Sequence, residues 1–384
     1  MFGVVKIYIK HRIYGMLFNL FRIFPIKKNR VSFITTKNAS FESNLRYIAD
    51  ELKTRKTSKG NSYEFHFIPK DEFSLSNMKK LATSKYIFLT DNFFALAFMR
   101  FSKKTKLIQL WHGTGIFKKF GYDLLEEDQK KTMLKFSNKI TNLMVSSHNV
   151  IDVYARNFAI DKSKVLPLGI PRNDYYSPEH LDESYVESLR HEFEKDYPNL
   201  KGKKIVLYAP TFREEPKYNA VFNYFDVEKF IDELGDEYIL CIKLHPNYNK
   251  FADRENRIDL DELAHTYNIV NFTDFKDEQK LFLISNILIT DYSSVMVEYT
   301  LLNRPIILFA YDLDNYLENE RGFYFDYRKE VPGRIVKDTD ELIKVIKEKD
   351  FNLSNLKEFA EFQFDYFDAY SSKRILDHVL DEDD

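Results

Sequence analysis

The sequence predicts two doubly wound α/β units, each a parallel sheet with helices on both faces, preceded by a basic amphipathic helix. Three observations carry this. Strand-length apolar runs alternate with helix-forming segments along the chain, the pattern of parallel strands buried on both faces. The alternation stops at the polar, turn-rich stretch Lys195 to Lys204 and then begins again. A length of 384 residues is ample for two cores at roughly 100–200 residues each.

Residues 1–30 form the opening segment. From Met1 to Phe41 there are eight Lys/Arg and no acid, against a net charge of −2 for the whole chain, so the remainder carries −10. Val5, Ile9, Ile13, Leu17, Leu20, Phe21 and Phe24 recur mostly at spacings of three and four, which puts them on one helical face. The longest uncharged run, Ile13 to Phe21, has nine residues. About 20 are needed to span a bilayer, and Phe-Arg-Ile-Phe-Pro offers no signal-peptide cleavage site. An interfacial helix fits, with Lys6, Lys10, Arg12, Arg22, Lys27 and Lys28 toward an anionic membrane surface. An ordinary helix packed on the body is the other reading.

The first α/β unit is expected over residues 31–198. Its strands are expected at Val31–Thr36, Phe65–Ile68, Tyr86–Thr90, Leu107–Trp111, Leu143–Ser146 and Val165–Leu168, with a helix at Phe41–Lys53. The second is expected over residues 199–350, with strands at Ile205–Ala209, Tyr238–Leu244, Ile269–Phe272, Ile287–Thr290 and Pro305–Phe309. Residues 351–384 read as terminal helices. Two such units side by side enclose a cleft at their strand ends.

Composition narrows the classes. Hydrophobic residues at 44% and charged residues at 30% exclude a disordered chain. Cys241 is the single cysteine, so neither an intrachain disulfide nor a CxxC site exists. The net charge excludes a nucleic-acid footprint over the whole molecule. No carboxylate cluster suits a divalent metal, so no metal or cofactor is expected.

Ligands of doubly wound sheets bind at strand carboxyl ends, and four clusters fall there. In Trp111-His112-Gly113-Thr114-Gly115 the glycines allow a tight turn and close backbone approach. His112 is then either an exposed proton carrier or a turn cap. In Thr211-Phe212-Arg213, Arg213 offers a planar fork for phosphate oxygens; a salt bridge to an acid is the alternative. In Lys243-Leu244-His245-Pro246, strand alternation puts both cations on one side, against a satisfied core histidine. In Thr290-Asp291-Tyr292-Ser293-Ser294, either serine suits the N-cap of a helix whose free amides hold phosphate. Glu298, about one turn on, is placed for a ribose, or is simply solvated.

At these residues a resemblance becomes plain. WHGTGIFKKFG, YAPTFRE, IKLHPN and ITDYSSVMVEYTLLNRPIILF resemble the signature blocks of the CDP-glycerol glycerophosphotransferase family of wall-teichoic-acid primases and polymerases. The blocks run in the family's order from Leu107 to Phe309, with further matches at Pro332-Gly333 and Tyr370 to Ile375. Gly115-Ile116 and Arg334 depart from the usual pattern. The resemblance implies a GT-B fold: two Rossmann-like domains facing a central cleft, with the helix around Ser371 to Leu380 crossing back onto the N-terminal domain. It also implies a peripheral protein on the cytoplasmic side of the cell membrane. Little sequence precedes the first unit, which is similar to the shorter primase type.

That type moves glycerol phosphate from CDP-glycerol to an undecaprenyl-diphosphate-linked ManNAc–GlcNAc acceptor and releases CMP. By resemblance His112 is the general base and His245 the group stabilising the departing CMP. Gly113, Thr114, Thr211, Arg213, Lys243, Pro246, Thr290, Asp291, Ser293, Ser294 and Glu298 are the donor-binding set. A glycerol- or ribitol-phosphate polymerase of teichoic acid or capsule is an alternative within the family. A GT-B sugar-nucleotide glycosyltransferase or epimerase, and a non-enzymatic membrane-bound nucleotide-binding component, are alternatives of other classes. Oligomeric state is not legible.

Overall fold

The structure is a computed structural model. It describes residues 2–36, 43–70, 74–213, 215, 218–245, 248, 258–319 and 322–381, with side chains from residue 9 onward except that of residue 128. Two compact units emerge: Met1–Asp174 with Gln363–Asp384, and Tyr175–Phe362. The division falls ahead of the expected boundary at 198/199. The reason is packing: Phe193, on the helix Glu183–Asp196, packs against Phe272 and Phe275 of the second unit, with ring centroids 5.8 and 5.1 Å apart.

The first unit holds strands β1 (Lys27–Thr35), β2 (Glu64–Pro69), β3 (Ser84–Leu89), β4 (Lys106–Gln109), β5 (Asn142–Met144) and β6 (Val165–Leu166) in the order β2-β1-β3-β4-β5-β6. All neighbours are parallel. Every residue of β3 is buried, as expected of a central parallel strand. Helix α1 (Phe2–Leu20) precedes the sheet and α2 (Asn44–Thr54) follows β1. Leu45, Ile48, Ala49 and Leu52 form one face of α2 and are buried against Val31, Phe33 and Phe88. Each fully buried Leu or Ile there contributes roughly 1.5–3 kcal/mol.

The second unit holds β7 (Lys204–Tyr208), β8 (Tyr238–Ile242), β9 (Val270–Asn271), β10 (Ile287–Thr290), β11 (Ile306–Phe309) and β12 (Arg334–Val336) in the order β12-β11-β10-β7-β8-β9. It too is all parallel. β12 had no place among the expected strands, being three residues long with an exposed arginine first. In each sheet the chain grows outward in one direction and then in the other. The reversal lies between β1 and β3 in the first and between β7 and β10 in the second. Those are the topological switch points where such sheets bind ligands.

Strand starts and ends depart from the sequence reading in two informative places. β1 begins at Lys27, with Lys27 N–H donating to the Thr83 carbonyl (2.9 Å). Lys27 and Lys28 are therefore the first two residues of an interior strand, at its N-terminal end. β8 stops at Ile242, so the alternation argued for Lys243 and His245 does not operate.

Candidate active site

In the first unit, β4 ends at Gln109 and Trp111 turns the chain with a φ of 57°. That left-handed conformation costs a bulky residue about 1–2 kcal/mol. His112 then stands exposed, its ring centroid 4.0 Å from that of Trp111. Its Nδ1 lies 3.1 Å from the carbonyl oxygen of Thr90, just past β3. A carbonyl only accepts, so Nδ1 carries a proton, and in the neutral ring Nε2 is then the nitrogen with the lone pair. An exposed imidazole with a fixed tautomer is equipped to take a proton from a hydroxyl.

The turn after His112 is held from within. Gly115 adopts a φ of +63°, and its carbonyl accepts the Tyr154 hydroxyl (2.8 Å). Thr114 is buried. Gln363 donates to the Ile116 carbonyl and accepts its N–H, each at 2.8 Å. Gly113 is different: a Cβ there would come no nearer than 3.4 Å to any neighbour, so nothing in the fold itself demands glycine.

In the second unit, Thr211 and Asp291 meet across the β7/β10 switch point. Asp291 Oδ1 accepts the backbone N–H of Thr211 (2.9 Å) and of Tyr292 (2.5 Å). Thr290 is fully buried and donates to the Ala209 carbonyl (2.7 Å). Arg213 takes a place other than the phosphate contact expected of it. Only 2% exposed, it pairs with Asp312 through Nε (2.8 Å) and Nη2 (3.0 Å) and with Asp291 Oδ2 through Nη1 (2.9 Å). The rings of Tyr292, Tyr311 and Tyr316 lie 4.8, 5.4 and 5.3 Å from its Cζ. Burial works against its charge, and Asp291 with Asp312 outweighs burial and holds the guanidinium charged. Arg213 thus binds three strand-end loops together, those after β7, β10 and β11.

Lys243 also turns inward. Its Nζ donates to the Phe275 carbonyl at 2.7 Å, and burial pushes its pKa down. His245 is exposed, its ring 4.6 Å from that of Phe212, while Pro246 lies outside the described residues. Ser294 is exposed at the N-cap of the helix Val295–Tyr299 and makes no side-chain cap bond. Ser293 Oγ lies 3.4 Å from Val295 N. Glu298 is buried, its Oε1 accepting the Tyr176 hydroxyl (2.9 Å) and the Gln279 amide (3.0 Å), so it is not the solvated residue of the alternative reading.

Among the described residues no group of three or more His, Cys, Asp or Glu is arranged to hold a metal ion. Three residues escaped the sequence reading: Asn44 and Gln109, which bond the Trp111 peptide, and Asp312, which pairs with Arg213. Gln109 and Asp312 lie at strand carboxyl ends, where the rule that found His112 finds them too.

The sequence model described as CDP-Glycerol:Poly(glycerophosphate) glycerophosphotransferase matches residues 16–381. The chain is 33% identical to the teichoic acid poly(ribitol-phosphate) polymerase of Bacillus spizizenii, over 96% of this chain and 59% of that protein. It therefore spans about three fifths of that relative's length. It is 31% identical to the teichoic acid ribitol-phosphate primase of the same organism, over 96% of this chain and 95% of the relative. Against the teichoic acid glycerol-phosphate primase of Bacillus subtilis it is also 31% identical, over 88% and 90%. A variant of the wall teichoic acid polymerase TagF shares the fold at a TM-score of 0.76, 20% identity and coverage of 98% and 94%. The UDP-GlcNAc 2-epimerase of Neisseria meningitidis does so at 0.55, with 13% identity and coverage of 91% and 99%. With a family match reaching across both α/β units, the chain belongs to the CDP-glycerol:poly(glycerophosphate) glycerophosphotransferase family.

Proposed function

We propose that this protein moves a polyol phosphate from a CDP-activated donor to a hydroxyl of an undecaprenyl-diphosphate-linked saccharide, as a primase of teichoic acid synthesis. Glycerol phosphate from CDP-glycerol is the first assignment. Ribitol phosphate is the second reading, favoured by the similarity to ribitol-phosphate enzymes. The observation that carries the proposal is His112, exposed past β4 with Nδ1 bonded to a carbonyl and no bond to Nε2 among the described residues.

In the reaction, Nε2 of His112 takes the proton of the acceptor hydroxyl as its oxygen attacks the polyol-bearing phosphorus. The bond from that phosphorus to the bridging oxygen breaks, and CMP leaves. Such transfers depend on position and on stabilising spread negative charge. The donor is assigned to the β7/β10 switch point, with Thr211, Ser293, Ser294 and His245 around its diphosphate. Arg213, Asp291 and Lys243 hold those loops from below.

Membrane contact belongs to the same proposal. No helix among the described residues is long and apolar enough to cross a membrane. α1 nevertheless leaves Ile9, Ile13, Met16 and Leu20 exposed at helical spacing, with Lys10, Arg12 and Arg22 beside them. We assign this face to an anionic bilayer surface, on the cytoplasmic side, whose leaflet is the negatively charged one.

The test is mass spectrometry of products from a lipid-linked disaccharide incubated with CDP-glycerol and, separately, CDP-ribitol. One added polyol phosphate and release of CMP are expected, and His112→Ala should lower turnover roughly 10²–10⁴-fold while donor binding persists. Hydrolysis or epimerisation of UDP-GlcNAc, with no CMP from either donor, overturns the proposal.

A further inference from the structure

His112 depends for its place on a peptide held in an uncommon conformation. Trp111 carries a φ of 57°, and a bulky residue keeps a positive φ only where its surroundings enforce it. Here two fully buried amides enforce it. The Trp111 N–H can only donate, so Gln109 presents its oxygen there (2.9 Å), and its NH2 reaches the Asp91 carbonyl (3.3 Å) in the loop that carries Thr90. The backbone N–H of Arg172 likewise only donates, and it takes the Asn44 oxygen (2.9 Å). That fixes the Asn44 NH2 toward the carbonyls of Trp111 (2.8 Å) and Leu110 (3.5 Å). Both backbone polar groups of the strained residue are thus bonded by side chains, and each amide is oriented by a second backbone group that admits only one assignment.

We infer that Asn44 and Gln109 are positioning residues for the transfer reaction. They hold the backbone of Trp111 so that Nδ1 of His112 meets the Thr90 carbonyl and Nε2 is left without a proton for the acceptor hydroxyl. Neither touches substrate; both act through Trp111. The inference rests on the reading of His112 as the base. A carboxylate at position 44 keeps the shape but sets oxygen against the Trp111 carbonyl. Glutamate at position 109 keeps an oxygen for the Trp111 N–H, and when ionised it sets the other oxygen against the Asp91 carbonyl.

The experiment uses the full chain with Asn44→Ala, Asn44→Asp, Gln109→Glu and Gln109→Met, assayed for CMP release with whichever of CDP-glycerol and CDP-ribitol the wild type consumes. For Asn44→Ala, Asn44→Asp and Gln109→Met, kcat should fall on the order of 10²-fold, the scale of a misplacement near 1 Å, with donor KM within about twofold. Gln109→Glu, which keeps the bond to the Trp111 N–H, should lose less than Gln109→Met. A second readout is nitrogen NMR of histidine-labelled protein, with the His112 signal identified by its loss in His112→Gln. Wild type should show Nδ1 protonated and Nε2 bare, and folded Asn44→Ala a mixture of tautomers. Wild type protonated at Nε2, or a folded Asn44→Ala with unchanged kcat and unchanged tautomer, overturns the inference. Should both Asn44 variants fail to fold, the two Gln109 variants decide it by the same measurements. If His112→Ala keeps wild-type turnover, the base reading fails, and the tautomer change in Asn44→Ala then decides the positioning by itself.

Discussion

Arg213 sits inside the core of the second unit with two carboxylates and three aromatic rings around it. Removing one partner of such a cluster leaves charge buried without compensation, at about 3–5 kcal/mol. Arg213→Ala should therefore lower the unfolding free energy by roughly that amount, since Asp291 and Asp312 would face each other unpaired. Arg213→Lys keeps the charge without the fork and should lose a large part of it. Urea titration measures both, and a loss under about 1 kcal/mol in Arg213→Ala would show that the guanidinium is not structural. Sequence alone places Arg213 at a strand end, which is where it is. It does not show that Asp312, 99 residues away, faces it, and that pairing decides whether the fork meets phosphate or protein. His112 was legible for the opposite reason: its exposure follows from local turn geometry after β4. That Glu298 is buried was not legible, because Tyr176 and Gln279, which bond it, are remote in sequence.

α1 has two apolar faces, and they do different things. One docks on the first unit. Phe18 is fully buried, its ring 4.9 Å from that of Phe101. Asn19 bonds the Phe98 carbonyl (3.3 Å) and the Arg100 N–H (2.8 Å), and a Cβ on Gly15 would lie 2.5 Å from the Phe98 oxygen. The other face carries Ile9, Ile13, Met16 and Leu20 into solvent. Removing residues 1–28 is thus not neutral to the body, because it uncovers the Phe98–Phe101 surface and cuts into β1. Point changes separate the faces. Gly15→Leu should undock α1 and destabilise the unit by about 1–3 kcal/mol, the usual cost of overpacking. Ile9→Ser with Ile13→Ser should leave the melting temperature unchanged and weaken co-sedimentation with anionic liposomes, in a manner that salt enhances. Equal liposome binding by wild type and the double variant would remove α1 as the lipid contact. At this scale the sequence was readable: apolar runs gave eleven of the strands because parallel strands bury both faces. The periodicity of the opening helix predicts a single apolar stripe and does not show that another apolar side, around Phe18, packs on the unit.

The chain closes on itself, since Gln363–Asp384 belong to the first unit rather than to the second that precedes them. Ile375, Leu376 and Val379 of the helix Ser371–Val379 lie in the core with Leu45, Ile48 and Leu52 of α2. The start of that helix is capped by Asp174, whose two oxygens accept the backbone N–H groups of Ser371 and Ser372 at 2.7 Å each. Its far end is held at Asp381, which pairs with Lys85 and Lys106 at 2.5 Å each, on strands β3 and β4. The last residues therefore serve as part of the first core, and the second unit does not share them. Ending the chain after Asp368 should expose the apolar face of α2 and unfold the first unit while leaving the second folded. Hydrogen exchange can resolve this, because protection follows the local opening free energy. Amides of β1 and β3 should lose protection by several orders of magnitude, and those of β10 and β11 should keep it. Equal protection of both sheets in the truncated chain would mean that the terminal helix only rests on the first unit. Loss in both would mean that the two units fold as one.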